Sequence, residues 1–91
     1  MRKKKQKISE SIRQKISDYF IDRIFECKGW HFKPTSIEYR IDYSEEWLIM
    51  YVEIVKPGDV THAENLAIGI ELLIKKLEYF NIGENRKILF I

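Results

Sequence analysis

Asp42, Glu53 and Lys56 are the residues whose types and order come nearest to a reaction centre in this chain. Two carboxylates on successive strands can hold Mg²⁺, and a neighbouring lysine can sit beside the attacking water, the machinery of phosphodiester hydrolysis. The spacing works against it. Glu53 and Lys56 are three residues apart, and side chains alternate along a strand, so the two are expected on opposite faces. A bulge near Pro57 would be needed to reunite them. Surface charges at one end of a sheet are the simpler reading. Cys27 and His31 are four apart but straddle Gly29, and His62 with Glu64 does not complete a ligand set. Cys27 reads instead as a small buried side chain. No Gly-rich phosphate loop and no Ser/His/Asp arrangement occurs. The expectation is a protein without catalytic residues, without a metal site and without a cofactor.

Binding chemistry is better represented. Arg2, Lys3, Lys4, Lys5 and Lys7 give the first seven residues five positive charges and no negative one. Such an arm can contact phosphates with release of counterions, or can be only a solvated terminus. Arg13 and Lys15 on the following turns extend it, and Lys75 and Lys76, with Arg86 and Lys87, are further candidates for phosphate contact. Tyr39, Tyr43, Trp47 and Tyr51 are spaced along two predicted strands and offer a second chemistry, stacking on unpaired bases. Tyr39 and Tyr43 share parity with the apolar side of their strand, which predicts core packing. Trp47 and Tyr51 are the surface candidates, and Trp30 falls in a predicted loop.

These residues must be positioned by a small set of elements. Ile8, Ile12, Ile16, Phe20 and Ile24 recur every four residues and predict a first helix over 9–27, capped by Ser9 or Ser11 and stopped at Gly29. After Pro34, Ile37, Tyr39, Ile41 and Tyr43 alternate with Glu38, Arg40 and Asp42, the pattern of a strand with one buried face. Ser44, Glu45 and Glu46 form a polar connector. Residues 47–55 predict a second strand with Leu48, Met50, Val52 and Ile54 on one face and Trp47, Ile49, Tyr51, Glu53 and Val55 on the other. Both faces are largely apolar, so this strand is expected at the centre of the sheet or beside a contact surface.

Thr61, His62, Ala63 and Glu64 have the spacing of a capping box and open a second helix over about 61–80. Residues 66–74 of that helix contain one charge, Glu71, and so need cover on most sides. Gly69 within it serves as a kink or as a notch for close packing. Residues 88–91 predict a third strand, parallel to the second through a right-handed crossover. The fold class is therefore α+β: a two-layer αββαβ domain over 8–91, with a three-stranded mixed sheet packed by two helices, preceded by the basic arm of 1–7.

Composition agrees with one small globular domain. The 91 residues are 45% hydrophobic and 13% aromatic, too apolar for disorder, while no run approaches the ~20 residues of a membrane span. The net charge of +2 conceals an asymmetry, because residues 8–91 hold 11 positive and 14 negative charges. No long apolar stretch follows the basic start, so no secretory leader is expected. A single cysteine cannot form an internal disulfide. The expected setting is cytoplasmic, with no membrane partner.

Three resemblances bear on function. The order Asp42, Glu53, Lys56, followed by strand–helix–strand, resembles restriction-type nucleases and implies a metal-dependent nuclease-like domain. The stretch Asn65-Leu66-Ala67-Ile68-Gly69-Ile70 and the element order resemble ribosome-binding factor A, a KH-type (type II) assembly family. There Gly69 would be the kink residue and residues 88–91 the final strand. Residues 19–24, Lys75-Lys76 and residues 81–91 resemble a small eukaryote-type large-subunit ribosomal protein. The two ribosomal resemblances imply an RNA-binding, ribosome-associated protein whose arm contacts phosphates. The apolar surplus of the second strand and second helix supports an alternative, a protein–protein module or small dimer using Trp47, Ile49, Tyr51, Ile68 and Leu72.

Overall fold

The computed structural model describes residues 8–58 and 63–91. Its elements run α1 (Glu10–Phe20), β1 (Phe25–Cys27), β2 (Trp30–Asp42), β3 (Glu45–Lys56), α2 (Ala63–Glu78) and β4 (Arg86–Phe90). The strands lie in the order β1-β2-β3-β4, with β1, β2 and β3 antiparallel and β4 parallel to β3. The α+β class and the hairpin-plus-parallel arrangement are as expected, but the sheet has four strands rather than three. The capping box at 61–64 falls largely outside the described residues, as does the arm at 1–7.

The additional strand comes from the end of the predicted first helix. Ser9 caps α1, its Oγ accepting the Ile12 N–H at 3.2 Å. The helix then stops at Phe20, not Cys27. Ile21 is already extended and Asp22 adopts φ 67, with its N–H donated to the Pro34 carbonyl at 2.9 Å. Phe25, Glu26 and Cys27 follow with the period of a strand, Phe25 buried and Glu26 exposed. Lys28 (φ 55) and Gly29 (φ 83) close a two-residue hairpin to Trp30. Gly29 does take the left-handed conformation expected of it, but at the second position of a turn rather than at a helix stop.

Trp30 is therefore a strand residue, not a loop residue, and it is buried with its ring stacked on Phe32. Pro34 lies within β2, next to a bulge at Thr35, where a missing N–H disturbs the ladder least. The β2–β3 turn uses Tyr43 (φ 54) and Ser44 (φ 66), so Glu45 and Glu46 belong to β3 rather than to a connector.

Both helices lie on one face of this sheet. Ile16 and Phe20 of α1, Leu73 and Leu77 of α2, Phe32 of β2, and Leu48, Met50 and Val52 of β3 belong to one buried cluster. Full burial of such side chains stabilises by about 1.5–3 kcal/mol each. Gly69 resolves as a notch: a Cβ there would come within 2.4 Å of the Phe32 ring, and α2 is helical without interruption through it. Helix α1 is tied down by Glu46, which accepts the Ile8 N–H at 2.9 Å and the Arg13 guanidinium at 3.0 Å. Ile41 (67% exposed) and Tyr43 (93% exposed) were expected in the core but are not, because the hairpin tip extends past the helices that would cover them.

Candidate functional site

Strand alternation leaves one face of the sheet turned away from both helices. The register sets Trp47, Ile49 and Tyr51 of β3 in a row, with Arg40, Glu38 and Ser36 of β2 opposite them. On the other side Lys87 and Leu89 of β4 oppose Ile49 and Tyr51. Parity forces this grouping: since Leu48, Met50 and Val52 are wholly buried under the helices, the residues between them must point the other way. Among the described residues, no element packs over this face.

Its surface is mixed. Trp47 and Tyr51 are partly exposed, Leu89 is 38% exposed, and Val55 and Ile91 at the margin are more open still. Ile49 was expected as an interface residue, yet it is only 2% exposed while lying outside the core cluster. Its neighbours on the same face therefore cover it, and a partner would touch those neighbours first. The Tyr51 hydroxyl donates to Glu38 Oε1 at 2.8 Å, diagonally across the two strands. That bond to a carboxylate, joined by desolvation, raises the Tyr51 phenol above the ordinary 10.0. Lys33 opposite Glu53, and Arg40 and Lys87 on either flank, add charges of both signs.

The other candidates separate in space. Asp42 pairs with Glu45 beside the tip, whereas Glu53 pairs with Lys33 near the opposite end of β3. Eight residues of strand put on the order of 25 Å between them, too far for one cation. No group of three metal-ligating side chains occurs among the described residues. Cys27 shares the Trp30 side of the sheet while His31, next along β2, points to the other side.

Cations expected on nucleic acid are also distributed. Arg13 is engaged internally, paired with Glu46 and stacked 4.5 Å above the Tyr39 ring. Tyr39 itself is held above 10.0 chiefly by burial, against the lowering influence of Arg13. Lys15 and Lys75 are exposed, Lys76 lies 5.9 Å from the Phe25 ring, and Arg86 pairs with Glu78 at 3.1 Å. Arg2, Lys3, Lys4, Lys5 and Lys7 lie outside the described residues. On α2, Gly69, Leu73 and Leu77 face the core, while Ile68 (40% exposed) and the partly exposed Leu72 lie on the outer side. The helix is thus apolar on more sides than its own sheet covers.

The fold and this surface define a class, a two-layer α+β domain with one sheet face left uncovered among the described residues. No protein-family model matches the chain, and no curated protein or solved structure is significantly similar to it. Among the described residues, no helix is long and apolar enough to cross a membrane.

Proposed function

We propose that this protein is a small interaction module that docks a protein partner on the open face of its sheet. The observation that carries this reading is the row of Trp47, Ile49 and Tyr51 on the face that neither helix covers, continued by Leu89 on β4. A central aromatic pair inside a rim of Glu38, Arg40 and Lys87 is the anatomy of a docking patch, with apolar anchors surrounded by charges that select the partner. Glu38 and Glu53 stand among Lys33, Arg40 and Lys87 on this face, and such a mixture of signs suits a protein surface better than a polyanion.

A second reading, an RNA-binding and ribosome-associated protein, is favoured by a separate observation. Lys33, Arg40 and Lys87 project on the same face as Trp47 and Tyr51, and the sequence adds five cations in residues 1–7. Bases would stack on the aromatics while the cations contacted phosphates.

One experiment separates the two. A photo-crosslinking phenylalanine analogue at Trp47, and in a second preparation at the 86%-exposed Tyr79 as control, is irradiated in cells. The expected product is a discrete protein adduct from position 47 that position 79 does not give. An RNA adduct at 47, lost on removal of residues 1–7, would replace the first reading with the second. No specific adduct at 47 would remove both.

A further inference from the structure

β2 is paired along only part of its outer side. β1 covers residues 30–32, and the Asp22 N–H occupies the Pro34 carbonyl. Beyond the bulge at Thr35, residues 36–42 have β3 on one side and, among the described residues, no strand on the other. A row of unpaired N–H and C=O groups of this length is a template for strand addition. Its pattern identifies what fits there.

We propose that a second copy of this chain pairs with that edge, antiparallel, about a two-fold axis through Tyr39. Directly opposed residues in an antiparallel ladder share a face, so a symmetric pair must be centred on a residue and not between two. Centring on Tyr39 sets Glu38 against the partner's Arg40, and Arg40 against the partner's Glu38. The same register sets Ile37 against the partner's Ile41 on the helix side, and Ser36 against the partner's Asp42. The nearest permitted alternatives fail on charge. A centre at Glu38 opposes two glutamates, and a centre at Arg40 opposes two arginines and sets Glu38 against Asp42.

Geometry selects the same centre independently. The free stretch is bounded at one end by the bulge at Thr35 and at the other by the turn at Tyr43, and Tyr39 is its midpoint. Because β1 is short, the partner's hairpin tip comes to rest beside the segment that precedes it. Ile24 (52% exposed), Ile41 and Tyr43, otherwise unexplained as surface residues, all lie along this seam. α1 packs on the helix face of the sheet, with Arg13 over the Tyr39 ring of β2 and bound to Glu46 of β3. The backbone pairing uses the edge of the sheet and needs neither Trp47 nor Tyr51, while Glu38 and Arg40, whose side chains also rim the open face, set its register.

Sedimentation of the full chain over the micromolar range tests this by charge exchange. The wild type is expected to approach twice the monomer mass. Glu38→Arg alone and Arg40→Glu alone should each raise the dissociation constant by about tenfold or more, since each sets like charges together twice. Mixing the two variants should restore a dimer, because 38 and 40 of one copy then complement 40 and 38 of the other. Ile41→Lys, at a site exposed in the monomer, should weaken association while leaving the circular dichroism spectrum unchanged. A wild type that stays monomeric, or single reversals that associate as the wild type does, would overturn the proposal. So would a mixture no tighter than its components.

Discussion

Gly69 decides how near α2 can approach the sheet. Alanine there would favour the helix by up to about 1 kcal/mol on propensity alone. Its methyl group, however, would lie 2.4 Å from Cε2 of Phe32, a ring that is itself fully buried. Overpacking at such a site costs about 1–3 kcal/mol, so Gly69→Ala is expected to lower the denaturant midpoint, with Phe32→Leu in the same chain recovering part of the loss. Tyr39 and Tyr51 make a second residue-scale prediction. Both phenols are raised, Tyr39 chiefly by burial and Tyr51 chiefly by its bond to Glu38. The folded chain therefore favours the neutral forms. That contribution is complete below pH 10 and is lost as the pH climbs through the raised values. Ultraviolet titration should show tyrosine ionisation above the ordinary range, absent in the Tyr39→Phe/Tyr51→Phe double variant.

At the scale of elements, the two hairpins use the same turn geometry with different residues. Lys28 and Gly29 supply one glycine for two left-handed positions, whereas Tyr43 and Ser44 supply none. A non-glycine residue in that region costs about 1–2 kcal/mol, and Asn-Gly is the pair best suited to it. Tyr43→Asn with Ser44→Gly is therefore expected to raise stability by about 1 kcal/mol in urea unfolding. The buried faces of β2 and β3 follow from alternation and were legible in Ile37, Tyr39, Leu48 and Met50, but their register was not, because it depends on the turn at Tyr43 and Ser44. The β1–β2 hairpin was not. Ile24 continues the four-residue spacing of α1, but it is exposed, while the burial that shapes this segment belongs to Phe25 and Trp30. A pattern of 3.6 and a pattern of 2 overlap over so few residues that only contact of Phe25 with the Tyr19 and Phe20 rings separates them.

At the scale of the molecule, one face of the sheet is packed beneath both helices and the other is left uncovered among the described residues. The helix side gathers Phe20, Phe32, Leu48, Met50 and Leu73 into a continuous core. Trp47, Tyr51 and Leu89 on the far side, and residues 36–42 along the edge, remain available. Glu38 and Arg40 belong to both the edge and the open face, so pairing of two copies would join their open faces into one larger surface. Asp42 and Glu53 show the limit of reading order for proximity. They are neighbours in the succession of elements, but a long hairpin carries them to opposite ends.

The α+β class, the antiparallel hairpin, the parallel crossover into β4 and the split of β3 into two apolar faces were all readable along the chain. Each of these depends on periodicity and chain order, which are local properties. That 25–27 is a strand, that Gly69 is a notch, that Ile41 is exposed and that Arg13 pairs with Glu46 came from packing alone. Those outcomes depend on which distant side chain occupies the neighbouring space, and no spacing along the chain records that.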